Sequence, residues 1–445
     1  MSHPQDLSLV EQAAALRRGT LSASDLLEAT VDRLAERDGA LNSTPIVFAS
    51  VAREQLSRAP RGPLYGVPLT VKDMFALPWR GARNGTCHEM IEPRASGAYA
   101  RLRDAGAIVV GVANQHELGM GSTGSVSAYG PTHNPWDLAR SAGGSSSGSA
   151  AAVAARLVGA SLGSDSGGST RIPAAWCGVT GLKLTYGSVP YDGYFGARTT
   201  FSAPGALGRD AADVRLLSEV LLGRSLLGTG GTSLRVARLA GEVFDDVSAS
   251  VREAIEHALG LSGWDAPSVR LNEQGLILAA SLALLAREID PPPAEQMGSL
   301  SASTRASLLA SQLLGTELIG TELIERAQSV RVTLRRELAR AFVDADVLAV
   351  PSTPSTAPRL DEGTVTLPSG PMGLDQANLR LNVLANLTGV PSISVPVGLD
   401  ASGLPIGLSL LAPWGEEARL LEAAAHLERA SERAFLGVAP PLARG

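Results

Sequence analysis

Lysine is almost missing from this chain: of 445 residues, 38 are Lys or Arg, and of these only Lys72 and Lys183 are lysines. Cysteine is as scarce. Cys87 and Cys177 stand alone, which excludes a disulfide scaffold and fits a reducing cytoplasm. No Cys/His cluster has zinc spacing, so no metal is expected, and no motif asks for a cofactor. The longest apolar run, LILAASLALLA at 276–286, is too short to span a bilayer and reads as a core helix, so no membrane partner is expected. The N-terminus MSHPQDLSLV lacks the basic-then-apolar pattern of a secretory signal. Net charge is −6 and the arginines are scattered, so nothing draws the chain to nucleic acid and no such partner is expected. No linker rich in Pro, Gly and Ser divides it.

The lysine deficit has a chemical edge. Where a positive charge is merely solvated, arginine serves, and this chain uses arginine. An amine that must lose its proton has to be lysine, because guanidinium stays charged at any usable pH. Chance survival is the competing reading for either lysine taken alone.

Residues 7–38 read as two helices, LSLVEQAAALRRG and LSASDLLEATVDRLAER, the second opening with Ser22 and Asp25 at capping-box spacing. PLTV (68–71) reads as a buried strand that delivers Lys72 at its C-terminal end. SGAYARLRDAGAIVVGVAN (96–114) is a helix, a glycine stop and a strand. SAAAVAARLVG (149–159) is a helix with small residues on every face, and ASLGSDSGG after it is a short strand entering a loop. From about 250 to 345 the pattern is helical, with a back-to-back GTELI at 315–324 that carries no chemistry. Apolar strands return at DVLAVPSTP (346–354), VPSISVPVGL (390–399) and GLPIGLSLLA (403–412). Such alternation implies an α/β domain with ligands near strand C-termini.

Two segments are built almost wholly of glycine and serine: GGSSSGSA (143–150) and GSDSGGSTR (163–171). Phosphate binding explains them poorly. GMGSTG (119–124) fits G-x-G-x-x-G without the helix or the acidic residue that should follow, and the second segment has no P-loop lysine. A nucleophile elbow fits GSSSG (144–148) by spelling, but no strand leads into it. The late histidine it needs, His426, sits in the helical pattern LLEAAAHLERA. Serine with lysine fits best. A serine hydroxyl needs a base, and a lysine amine can be one if burial behind Leu69 and Val71 pulls its pKa down from about 10.4. A second serine can relay the proton, and consecutive N–H groups of a Gly-rich loop can hold an oxyanion. Lys72, a serine of the first segment, and Ser169 behind Gly167 and Gly168 supply the parts.

With GVPLTVKD, AGAIVVGVAN, GPTHNPWD, GGSSSGSAAAVAA, LGSDSGGSTRIPAAWCGVTGLK and GALGRDAADV, and again at NLTGVPSISVPVG and GLPIGLSLLA, the sequence resembles the amidase signature family. The likeness is dense over about 62–215 and resumes near 346. It implies a single large α/β domain, 1–445, with a central mixed sheet covered by helices. Residues 1–61 would be N-terminal helices, 62–215 the catalytic core, 225–345 a variable helical insert, and 346–440 the return to the sheet. It also implies hydrolysis of a carboxylic amide through an acyl-serine, with Ser169 as nucleophile, Ser145 as bridging serine after a cis peptide from Gly144, and Lys72 as base. The oxyanion hole would be the N–H groups of Ser166, Gly167, Gly168 and Ser169. Ser146, Asp165 and Arg171 would support these groups, although Asp165 and Arg171 serve equally well as a buried structural pair. Lys183 and Cys177 read as structural. Met120 and Gly121, the stretch after 190 and the helical insert would line the substrate pocket.

The wording is nearest that of the glutamine-hydrolysing subunit of tRNA-dependent amidotransferase. That subunit's D-E-F-A-M-G run is replaced here by QHELGMG (115–121), and Leu379 falls where it carries an acid. The expectation is therefore a stand-alone cytoplasmic amidase acting on a small-molecule amide. The glutamine-hydrolysing subunit is the alternative, and a homodimer is compatible with either.

Overall fold

The computed structural model describes residues 3–190, 192–194, 199–228, 234–289, 291–315, 320–431 and 439–443. In chain order its strands begin with β1 (Ile46–Val47), β2 (Pro68–Lys72), β3 (Ile108–Ala113), β4 (His133–Asn134), β5 (Asp137–Ser141), β6 (Ala160–Asp165), β7 (Thr180–Lys183) and β8 (Ala203–Gly208). They continue with β9 (Val236–Leu239), β10 (Ser268–Val269), β11 (Val347–Pro351), β12 (Thr364–Leu367), β13 (Gly370–Gly373), β14 (Ser392–Leu399) and β15 (Pro405–Leu411). One 11-stranded mixed sheet runs β1-β3-β2-β6-β8-β7-β14-β15-β11-β9-β10, and β4–β5 and β12–β13 are separate antiparallel pairs.

Strand β2 is apolar and buried along its length because it lies between β3 and β6, both parallel to it. The C-terminal ends of all three strands therefore reach the same sheet edge. Lys72, Ala113 and Asp165 close them, and the loops that follow converge there. Strand β3 faces two apolar clusters, Val109 and Val112 packing into one and Ile108 and Val110 into the other, with a register shift opposite Leu69 and Thr70 interrupting simple alternation.

The second cluster includes the helix Ser147–Ala154, whose every residue is buried. Its small side chains are required by close approach. A Cβ on Gly148 would stand 2.2 Å from the Ser43 carbonyl oxygen and 2.4 Å from the Asn114 nitrogen.

At the N-terminus, Leu9–Arg18 carries a full capping box, Ser8 with Glu11, and ends at Gly19 in the left-handed region. In Ala23–Arg37 only half of the expected box forms. Ser22 Oγ accepts from the Asp25 nitrogen at 3.0 Å, while aspartate is one methylene shorter than the glutamate that usually closes the box.

The segment 225–345, read as helical, is helical only in part. Helices Ala249–Leu261, Ile277–Glu288, Ala302–Gly315 and Gly320–Asp344 are present, but β9 and β10 also lie here and build one end of the sheet. VARL is spelled mostly in helix-forming residues, and its pairing with β11 overrides that preference. No helix among the described residues is long and apolar enough to cross a membrane. Part of the stretch after 190 (191 and 195–198) and part of the GTELI repeat (316–319) lie outside the described residues.

Candidate active site

Lys72 sits at the end of β2, fully buried. Its Nζ donates to Ser145 Oγ at 2.6 Å and to Ser164 Oγ at 2.9 Å. Burial pulls its pKa down to about 7 against the opposing pull of the Asp165 carboxylate. Near neutral pH a large share of this amine is therefore unprotonated, where an ordinary lysine would be almost wholly charged.

The two Gly/Ser segments meet at this amine. The Gly144–Ser145 peptide is cis, and the Ser145 carbonyl accepts from His116 N at 3.1 Å. Ser146 joins the segments. Its N–H donates to the Ser169 carbonyl at 3.1 Å, and its Oγ donates to the Ser164 carbonyl at 3.1 Å. Ser169 is half-buried, and its hydroxyl has no hydrogen-bond partner among the described residues.

Asp165 organises the turn that carries Ser169. Arg171 grips it with two bonds, Nε to Oδ2 at 3.0 Å and Nη2 to Oδ1 at 2.9 Å, and both side chains are fully buried. Burial alone would raise the Asp165 pKa. The Arg171 charge and hydrogen bonds, with Lys183 and Asn386, outweigh it and hold the carboxyl well below its ordinary value. The carboxylate also accepts from Gly168 N at 2.8 Å and Thr170 N at 3.1 Å.

One expectation for the turn needs correction. The Gly168 N–H was expected to face an oxyanion, but it is committed to Asp165. Gly168 serves the geometry instead, with φ +114° and a Cβ position only 2.6 Å from Asn382 Cβ. The N–H groups of Ser166, Gly167 and Ser169 make no hydrogen bond to protein among the described residues.

A cavity of about 420 Å³ opens onto Ser145, Ser164, Ser166, Gly167 and Ser169, and Met120 and Gly121 also line it. The helical segment contributes Leu285, Ile289 and Leu308. The other predicted residues lie elsewhere. Lys183 is buried and donates to the carbonyls of Leu184 and Val390 at 3.1 and 2.9 Å. Cys177 is buried, donates to the Ala142 carbonyl at 3.2 Å, and has its thiol pKa pushed up by burial. His426 stacks on Trp264 at 5.1 Å and contacts the Ser262 carbonyl at 2.9 Å, outside the cavity lining.

Sequence reasoning missed several participants. Ser164 lies within GSDSGGS, but nothing in the spelling of that run shows that its hydroxyl, carried by β6, meets the Lys72 amine. Asn386 bonds both the Asp165 main chain at 3.0 Å and Arg171 Nη2 at 2.8 Å; it opens the NLTGVPSISVPVG run that carries the resemblance, and that run was the available signal. Asp375, also lining the cavity, accepts from Ser122 N and Ser122 Oγ at 2.7 Å each. It stands one helical turn before Leu379, so an i, i+4 search around that position would have found it.

Among the described residues no group of three His, Cys, Asp or Glu could hold a metal ion.

The Amidase family model matches residues 25–260 and 278–421 of the chain. Among curated proteins, a glutamyl-tRNA(Gln) amidotransferase subunit from Anaeromyxobacter sp. (strain K) is 36% identical over 480 residues, covering 95% of this chain and 96% of that protein. Among solved structures, an amidase superposes with a TM-score of 0.87 at 32% identity, covering 95% of this chain and 99% of the other. The 6-aminohexanoate cyclic dimer hydrolase complexed with substrate superposes at 0.86 and 25%, covering 99% of each chain. These findings overturn the expectation of partners without nucleic acid, since the first relative is one component of an enzyme named for a tRNA. Net charge describes one chain and carries no information about an assembly it joins.

Proposed function

The chain belongs to the amidase family, and from that premise we propose that it hydrolyses a carboxylic amide through an acyl-serine formed on Ser169, with Ser145 and Lys72 moving the proton. The observation that carries this reading is the buried Lys72 amine, with a pKa of about 7, 2.6 Å from Ser145 Oγ.

Neutral Lys72 takes a proton from Ser145 as Ser145 takes one from Ser169, and Ser169 Oγ bonds to the amide carbon. Ser169 Oγ has no partner before substrate arrives, and such bonds commonly tighten only in the substrate complex. The carbonyl oxygen gains the negative charge within reach of the N–H groups of Ser166, Gly167 and Ser169. Return of the proton to nitrogen expels ammonia or an amine. Water then attacks the ester by the same route and releases the carboxylate. Asp165, Arg171 and Ser146 act as positioning residues that hold the turn and the relay. We read residues 1–445 as one catalytic unit working in the cytoplasm, a reading to which the two free cysteines are suited.

A second reading has its own support. The name of the Anaeromyxobacter relative and its 95% coverage of this chain favour a glutamine-hydrolysing amidotransferase component over a stand-alone amidase. The chemistry at Ser169 is the same in both. Intact-protein and peptide mass spectrometry after quenching with an activated amide tests it. An acyl adduct on the Ser169 peptide, lost in Ser169→Ala, is expected, and an adduct on another residue overturns it. Ammonia release from glutamine, assayed with and without an amidotransferase partner, separates the two readings.

A further inference from the structure

The walls of the cavity say what kind of amide can enter. Besides the serines of the turn and Ser307 and Ser311 of the helix Ala302–Gly315, they carry apolar side chains, among them Met120, Ile172, Leu285, Ile289, Leu308 and Leu379. Leu379 packs directly on the turn before Ser169, its Cδ1 only 2.4 Å from where a Cβ of Gly167 would stand. The helices supplying Leu285 and Leu308 are anchored to the rest of the site by buried and half-buried carboxylates. Glu117 Oε2, on the loop that carries Met120, accepts from Ser301 N at 3.0 Å, at the start of the helix Ala302–Gly315. Glu288, the last residue of Ile277–Glu288, accepts from Thr200 N at 2.6 Å and from Thr200 Oγ1 at 2.7 Å. The chamber is therefore a built feature of the site.

Its charge is one-sided. Asp375 is exposed and lines the cavity, with Oδ1 held by Ser122. Among the described residues lining the cavity none is Arg, Lys or His. A substrate carboxylate entering here would lose water beside methyl groups and approach a like charge, with no cation among the described lining residues to receive it.

We infer that the physiological substrate is an uncharged amide whose apolar body fills the chamber between Met120, Leu285, Leu308 and Leu379, and that amides whose other end is a lone carboxylate are disfavoured. This inference rests on the amidase reading above and names the substrate class of that same site.

The test is kcat/KM of the full-length chain on acetamide, butyramide, hexanamide, adipamate (the hexanamide chain ending in a carboxylate) and glutamine. A rise of about fourfold per added methylene from acetamide to hexanamide is expected. Adipamate should fall at least about tenfold below hexanamide. Leu285→Asn should lower the hexanamide-to-acetamide ratio, and Asp375→Asn should narrow the hexanamide-to-adipamate gap. Both are ratios within one protein and so are insensitive to partial misfolding. A flat or falling series, or glutamine as the best substrate, overturns the inference while leaving the amidase reading intact. Absence of turnover on every amide by folded protein overturns both.

Discussion

Two buried lysines make an informative pair. Lys72 and Lys183 are both inaccessible to solvent, and burial brings the pKa of each down to about 7. Their surroundings differ in what they accept. Lys72 donates to two serine hydroxyls beside a cavity, whereas Lys183 donates to two main-chain carbonyls at the end of β7. A hydroxyl can pass a proton on, while a carbonyl can only accept the bond. Desolvation makes an amine capable of acting as a base, but its neighbours decide whether it has any proton to move.

The strongest way to break this contrast is to exchange the chemistry at Lys72. Lys72→Arg keeps the charge and removes the base, so a loss of kcat/KM on the order of 10⁴-fold is expected. Steady-state kinetics beside a circular-dichroism check of folding measures it, and retained activity would make the two lysines equivalent after all.

Next in size is the pair that fixes the nucleophile turn. Arg171→Met leaves the Asp165 carboxylate buried without its main partner and is expected to cost about 3–5 kcal/mol of stability. Urea unfolding would show it, and a near-neutral result would mean that Asn386, Gly168 and Thr170 alone suffice to hold the carboxylate.

Lys183→Met should be milder. Two carbonyls lose their donor at a cost of about 1–3 kcal/mol, with kcat per folded molecule preserved. A collapse of kcat in folded protein would move Lys183 from the structural side of the comparison to the chemical one.

The remaining effects are those of pH. Activity should climb as pH rises through about 7 and then level off, because the neutral form of Lys72 is the base. For stability, both folded lysine pKa values lie below the unfolded value of about 10.4. The unfolded chain therefore binds more protons between about pH 7 and 10, and the lysines' contribution to stability grows with pH across that window. Lys183→Met should flatten that slope by about half, since one of two such groups remains. Parallel stability curves in the wild type and the variant would contradict the shared desolvation.

Much of the site could be read in advance because its parts are marked by composition and local rules. Two lysines in an arginine-rich chain, one at the end of an apolar run, direct attention to Lys72. Gly and Ser runs that cannot build a core direct it to Ser145 and Ser169. Other parts depend on contacts between residues far apart in the chain. The Gly168 N–H turns to Asp165 because Arg171 and Asn386 fix that carboxylate from the other side, and Asn386 lies more than two hundred residues later. The strands β9 and β10 escaped notice because pairing, of β9 with β11 and of β10 with β9, and not local preference makes them strands.

By itself the sequence determined which groups are chemically capable: a lysine that can act as a base, serines that can be acylated, glycines that allow a tight turn. Its strand and helix periods also determined the α/β class. Only the tertiary structure decided which capable groups meet. It put Lys72 on Ser145 and Ser164, put Lys183 on carbonyls, and built a chamber from helices with no chemical signature of their own. The physical reason is that a pKa and a hydrogen-bond partner are properties of a surrounding, and that surrounding is assembled from segments distant in sequence.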